Sequence, residues 1–335
     1  MKGDLGQFYT TNYKYILESM EIPANAECII EPFAGSGELL GFLENIGKYT
    51  IELYDIDPKY HGTIQQDTLK YPPSYEDKFV LTNPPYLARN KSKNKELYDI
   101  YNCNDLYKCF IRCLIKTPCI GGIMILPLNF ISSIRKADIV LRKDFLNVYT
   151  INQINIFEEK VFEDTSCSVC SILFEKKQTK TPIRCILFPS RKEIELLLSQ
   201  ENNFTVGGEI YNLTGPFKIQ RATHQNIEGS NFITNILLKC IDDTSPLGFT
   251  LVDNTDKFID NTPNLSARSY ATVVLEIELS IEKQTLLVEK MNSYIREQRN
   301  KYHSLFLSNY RELNRKRISF ELAFRICNFF LSTLE

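Results

Sequence analysis

The chain has 335 residues, of which 43% are hydrophobic and 24% charged, enough apolar side chains for one large core or two smaller ones and too many for a disordered or collagen-like protein. Its formal net charge is -2, so the molecule as a whole is not a polycation that coats nucleic acid indiscriminately. No stretch approaches the roughly 18 uncharged apolar residues of a membrane span, and residues 1–11 lack the apolar run of a signal peptide. We therefore expect a cytoplasmic protein with no membrane partner. The ten cysteines are scattered from Cys28 to Cys327 and read as reduced thiols.

In chain order, CIIEPF (28–33), YTIELYD (49–55), KFVLTN (78–83), IMILPL (123–128), YTINQINIF (149–157) and SVCSILFE (168–175) read as strands. Several are apolar nearly throughout, as in strands covered on both faces of a parallel sheet. Between them, residues 37–47, 105–117 and 136–146 read as amphipathic helices. Strand and helix alternate, which predicts a doubly wound α/β domain over residues 1–175. The polar segment EKKQTKTP (175–182) reads as a linker to a second domain, 176–335, of less regular periodicity. Helical spacing returns after Ile281, where Gln284, Leu287, Val288, Met291, Tyr294, Ile295 and Gln298 share one side. Charge divides along the same line. Residues 1–175 carry 18 Lys and Arg against 23 Asp and Glu, residues 176–335 carry 21 against 18, and residues 285–325 carry 9 against 4. A polyanionic partner would be attracted chiefly by the second domain.

Three constellations could carry chemistry. IIEPFAGSGELL is a strand entering Gly35-Ser36-Gly37, where glycines let backbone N–H groups approach a ligand. It reads equally as a tight turn without a ligand, and Leu40 stands where a dinucleotide fingerprint wants its third glycine. Asp55, ending the next strand 18 residues beyond Gly37, is placed to accept hydrogen bonds from ribose hydroxyls, with Ile56 beside it. Asp67, followed by Thr68, falls at a third strand end and could accept a bond from an exocyclic amine. Asn83-Pro84-Pro85-Tyr86 directly follows a strand. The two prolines fix φ and remove amide donors, leaving carbonyls as rigid acceptors. An Asn oxygen beside such a carbonyl suits a planar NH2 group, and Tyr86 offers a face for stacking.

With these residues in this order, the chain resembles the gamma-class adenine-N6 DNA methyltransferases over residues 6–175. The resemblance implies a Rossmann-like sheet followed by a mixed target-recognition domain ending in helices, and an enzyme that moves a methyl group from S-adenosyl-L-methionine to adenine N6 in duplex DNA. It places Tyr9 and Thr10 in the N-terminal cofactor segment, with Thr10 at the methionine carboxylate. Glu31, Gly35 and Gly37 fall in the glycine turn, Asp55 on the ribose, and Asp67 at the cofactor adenine, with Ile56, Thr68 and Asn83 completing the cofactor site. Asn83, Pro84, Pro85 and Tyr86 become the catalytic loop, and Phe162 a second aromatic that stacks on a flipped base. Many relatives carry an aromatic after the third-strand acid where this chain has Thr68, so Leu69 or Pro127 is expected to cover that face. A cognate restriction endonuclease is the partner that the family implies.

The remaining features weigh less. Cys167 and Cys170 have CxxC spacing without a second pair, and His61, His224 and His303 show no metal spacing, so no metal is expected. Arg311, Arg315, Lys316 and Arg317 could grip phosphates or form a solvated helix face. Arg268 and Tyr270 lie in a segment with side chains that read base edges. Three other readings share the fold: a methyltransferase of a protein glutamine amide, one of ribosomal RNA adenine, and a silent nucleic-acid-binding subunit. The first places its extra domain before the glycine turn, whereas this chain extends after the catalytic loop. The second is harder to dismiss, since it shares the fold and the loop and stays the alternative; the basic, Asn-rich second half, which suits a duplex clamp, is the discriminator. The third has no reason to keep the cofactor residues.

Overall fold

The computed structural model describes residues 10–162, 168–177, 182–227, 232–243, 245–260, 269–309 and 315–334. Tyr9, Cys167, Arg268 and Arg311 lie outside them. The chain forms two units, residues 1–198 and 199–335.

The first unit is built on nine strands: β1 (Cys28–Glu31), β2 (Thr50–Asp55), β3 (Ile64–Gln65), β4 (Phe79–Thr82), β5 (Gly121–Pro127), β6 (Tyr149–Phe157), β7 (Val169–Lys176), β8 (Ile183–Phe188) and β9 (Lys192–Leu196). They are ordered β3-β2-β1-β4-β5-β7-β6-β8-β9. β3 to β5 are parallel, and β7 inserts antiparallel between β5 and β6. The order reverses at β1, from which the chain runs outward to β2 and β3 and then returns to β4. That reversal opens a crevice at the carboxyl edge, where α/β sheets bind ligands. Every residue of β4 and β5 is buried, which accounts for the uninterrupted apolar runs that made these strands legible. Helices α1 (Glu96–Tyr101), α2 (Leu106–Lys116) and α3 (Lys136–Val148) supply the connections.

Two expectations are corrected here. Residues 37–47 form no α-helix but two 3-10 turns, Glu38–Phe42 and Ile46–Lys48. Gly41 and Gly47 weaken helix propensity there, and a side chain at Gly41 would come within 2.4 Å of the Tyr13 hydroxyl. The boundary at residue 176 also moves. β8 pairs with β6 and β9 with β8, so the sheet continues to Leu196. Polarity at 175–182 marks a connection between strands of one sheet, and residues 178–181 lie outside the described ones.

The N-terminal segment is fixed by polar residues inside the sheet. Ser171 Oγ donates to the Ile16 carbonyl at 2.7 Å, and Asn155 Nδ2 donates to the carbonyls of Ile16 and Glu18 at 3.3 and 2.8 Å. Both side chains are fully buried, where an unpaired polar group would cost about 1–3 kcal/mol.

In the second unit, four antiparallel strands, β10 (Gln220–Arg221), β11 (Phe232–Lys239), β12 (Gly248–Leu251) and β13 (Tyr270–Leu275), are ordered β10-β13-β11-β12. Helix α4 (Ile281–Tyr302) buries Gln284, Leu287, Met291, Ile295 and Gln298, the side expected from the sequence. Its Gln284 Oε1 accepts from Asn235 N at 2.7 Å, and Asn292 bonds both backbone groups of Phe249. A short hairpin, β14 (Ser308–Asn309) with β15 (Lys316–Arg317), precedes α5 (Phe320–Leu331).

Candidate active site

The crevice at the carboxyl edge holds a cavity of about 460 Å³, to which each of the first four strands contributes its end. Glu31 closes β1, Asp55 closes β2, Asp67 and Thr68 follow β3, and Asn83 and Pro85 follow β4, and all of them line it together with Thr10, Gly35 and Ile56. Residues more than 50 positions apart in the chain, from Glu31 to Pro85, are thus brought to one surface by the parallel register.

The glycine turn is shaped by backbone conformations that side chains resist. Gly35 and Gly37 have φ of 54° and 79°, the left-handed region that glycine adopts without steric cost. A Cβ on Gly37 would stand 2.4 Å from the Tyr60 ring. Asp55, 3% exposed, holds this turn to β2: its Oδ2 accepts from Gly35 N and its Oδ1 from Asp57 N, each at 2.8 Å. Asp67 Oδ1 accepts from the amides of Leu69 and Lys70, both at 3.1 Å, and Thr68 Oγ1 donates to the Pro32 carbonyl at 3.0 Å.

Glu31 is different. It is 2% exposed, and its Oε2 has no hydrogen-bond partner. Burial first, then the nearby Glu38 and Asp55, pushes its carboxyl well above the ordinary range. A carboxyl left without a partner in an acid-lined cavity fits a ligand that brings positive charge and N–H or O–H donors. S-adenosylmethionine, with its ammonium, sulfonium and ribose hydroxyls, has that chemistry. Of the two residues expected to cover its base, Leu69 lines the cavity; Pro127 is not among the lining residues.

In the Asn-Pro-Pro-Tyr loop, Asn83 Nδ2 donates to Thr10 Oγ1 at 3.0 Å. The Tyr86 hydroxyl lies 2.6 Å from Asn83 Oδ1 and 2.7 Å from the Ile125 carbonyl. A phenol has one proton and here two acceptors, so it can swing to Ile125 and leave Asn83 Oδ1 to another donor. The Tyr86 ring is buried, perpendicular to Tyr107 at 6.1 Å between centroids. Neither Tyr86 nor Pro84 is among the lining residues, and Phe162 is 5% exposed outside the cavity wall. The stacking surfaces expected of Tyr86 and Phe162 are thus turned into the protein in this conformation.

Sequence reasoning missed the far wall. Residues 91–94, shortly after the Asn-Pro-Pro-Tyr loop, line the cavity with Leu97 and Tyr98. Nearby, Asp105 caps α2 and pairs with Ala88 in an isolated bridge, and its Oδ1 is buried without a partner. Desolvation raises its pKa to about 6, opposed by Lys108 and by the amides of Tyr107, Leu87 and Leu106. A carboxyl with a folded pKa above its unfolded value binds its proton more tightly when folded. Stability therefore falls as pH rises from about 4 to 6. Asp105→Asn should flatten that fall by about 1–2 kcal/mol, less than the full shift because the side chain is part-exposed. Urea melts at pH 4.5 and 7 that show the same difference in wild type and variant would refute this.

In the second unit, Tyr270 opens β13 and is 38% exposed. Lys316 and Arg317 are strand residues, with Lys316 buried, and Arg315 Nε donates to the Asp242 carbonyl at 3.2 Å. The helix-face reading of this basic run is corrected: hairpin pairing turns Lys316 inward. Among the described residues, no group of three or more His, Cys, Asp or Glu could hold a metal ion, and no helix is long and apolar enough to cross a membrane.

Among solved structures, the chain is similar to the methyltransferase subunit of a type I restriction-modification system from Streptococcus thermophilus, at 17% identity and a TM-score of 0.41, covering 58% of this chain and 51% of that one. A type I modification subunit from Vibrio vulnificus aligns at 14% identity and a TM-score of 0.42, covering 56% and 49%. The type IIG restriction endonuclease BpuSI aligns at 14% and 0.41, covering 65% and 35%. The chain thus spans about half or less of the length of these structures. No curated protein matches it. The sequence profile of the N-6 DNA Methylase family matches residues 42–271, well over half of the chain. The chain belongs to the N-6 DNA methylase family.

Proposed function

We propose that the protein is an S-adenosylmethionine-dependent methyltransferase acting on N6 of adenine at specific sites in duplex DNA. The observation that carries this reading is the juxtaposition of Asn83 with Glu31, Asp55 and Asp67 on one cavity: an acceptor for a planar amine, with the Pro84 carbonyl next to it in the chain, beside a group of acids suited to a cationic, hydroxylated cofactor. Thr10, Glu31, Gly35, Asp55, Ile56, Asp67, Thr68 and Leu69 would hold the cofactor, which supplies an electrophilic methyl group on sulfonium.

The chain's own part is to make a poor nucleophile competent. Adenine's N6 lone pair is delocalised into the ring. Accepting both N–H bonds, at Asn83 Oδ1 and the Pro84 carbonyl, draws the nitrogen toward tetrahedral geometry and frees the pair for in-line attack. The proton becomes acidic once attack has begun and leaves late, so no Asp or His base is needed. Reaching N6 in a duplex requires flipping the base. In this reading Tyr86 and Phe162 rotate outward to stack on it, the Tyr86 hydroxyl giving up Asn83 as it moves. Residues 199–335, with Tyr270, Arg315 and Arg317, would supply target recognition, and a restriction endonuclease would be the functional partner.

The test is transfer of a labelled methyl group from S-adenosylmethionine to undermethylated genomic DNA and to ribosomal RNA, with the modified nucleoside identified by mass spectrometry. N6-methyladenine in DNA supports the reading. Label in RNA alone, or none, overturns it.

A further inference from the structure

Resting on that reading, the geometry points to Lys91 and Lys93 as a phosphate-binding element at the mouth of the cavity, gripping the backbone of the target strand beside the adenine to be methylated. Residues 89–95, RNKSKNK, carry four cations in seven positions, and no Asp or Glu occurs from residue 78 to residue 95. This run sits inside the acidic half of the sequence, where overall charge balance conceals it.

The four cations divide by what they touch. Lys95 Nζ donates to the carbonyls of Arg89 and Ser92, and Arg89 pairs with Asp99 at 2.6 Å. Backbone bonds finish the loop: Lys91 N and Ser92 N donate to the Ala88 carbonyl at 2.9 and 3.2 Å, and Arg89 N to that of Asn104 at 2.9 Å. Arg89 and Lys95 thus build the loop. Lys91 and Lys93 are exposed, line the cavity, and have no ion-pair partner among the described residues.

The chemistry of the cavity is correspondingly split. Its acids, Glu31, Glu38, Asp55 and Asp67, come from the ends of the first three strands and the glycine turn. Its lysines come from the segment after Asn83 and Pro85. An amine presented to Asn83 belongs to a nucleotide with a phosphate on each side of its sugar. Two ammonium groups a few residues beyond the acceptor pair are placed for those phosphates, and a loop pinned by its own lysine holds them at little entropic cost. Such contacts position a substrate without reading sequence.

The experiment compares wild type, Lys91→Gln/Lys93→Gln and Lys91→Arg/Lys93→Arg in the full chain, by anisotropy on a fluorescein-labelled duplex of mixed sequence over a salt series. Each phosphate contact contributes about 0.9 to the slope of log affinity against log salt. The double Gln variant should lose about 2 from that slope, the double Arg variant should keep it, and affinity for S-adenosylmethionine by calorimetry should stay at the wild-type value in both. An unaltered slope in the Gln variant overturns the proposal. So does a loss of cofactor affinity instead, which would assign the lysines to the cofactor's carboxylate. Methyl transfer by the wild type, run alongside, separates the two levels: a wild type that methylates DNA while the Gln slope is unaltered removes only the lysines, whereas one that methylates nothing removes the reading beneath them.

Discussion

Asn83→Ala should bind S-adenosylmethionine within a few-fold of wild type and lose about 10³-fold or more in turnover. In the proposed reaction the side chain's Oδ1 acts on the target amine, and an interaction made chiefly in the transition state appears in kcat rather than in ligand affinity. Its amide also bonds Thr10, so a stability loss of about 1 kcal/mol is expected and should be measured separately by thermal denaturation. Asn83→Asp is the sharper variant: it keeps an acceptor but loses the donor to Thr10. Turnover in Asn83→Ala near the wild-type value would remove the acceptor pair from the mechanism.

Glu31→Gln should move two observables in opposite directions. Burial and the neighbouring acids hold the Glu31 carboxyl well above its ordinary range. A raised folded pKa means that ionisation works against the fold, so this contribution is lost as pH rises above the unfolded value of about 4.3. Glutamine does not ionise, and the ligand-free variant should therefore melt at or above the wild-type temperature at pH 8. Cofactor affinity should instead fall about 10- to 100-fold, since a charge-assisted hydrogen bond contributes about 1.5–3 kcal/mol. Loss of function with gain of stability is the signature of a residue kept for its ligand. Wild-type affinity in Glu31→Gln would take Glu31 out of the site.

What could be read from sequence follows from which forces act locally. Strands such as Phe79–Thr82 and Gly121–Pro127 are buried on both faces, so their composition alone announces them. Asp55 and Asn83 were legible because each stands at the end of such a strand, and a parallel sheet sends all those ends to one edge. Residues 37–47 read as a helix because Leu39, Leu40 and Leu43 have helical spacing and are indeed buried, while Gly41 must admit Tyr13 from a distant part of the chain. The roles of Lys91 and Lys93 depend on what Arg89 and Lys95 touch, which no charge count contains. That Lys316 is a buried strand residue likewise depends on its pairing with Asn309.

The anchoring of the N-terminal segment fixes when the site can exist. Thr10 reaches Asn83 from a segment held by Asn155 and Ser171, partners separated from Ile16 by 139 and 155 residues. A ribosome delivers these at about 5–20 residues per second, so for several seconds or longer Thr10 is made but has nowhere to dock. The glycine turn, Asp55 and the Asn-Pro-Pro-Tyr loop all leave the ribosome before the strands that pin the N-terminal segment. The newborn chain therefore carries the ends of β1 to β4 before the segment that brings Thr10 to Asn83 can be pinned.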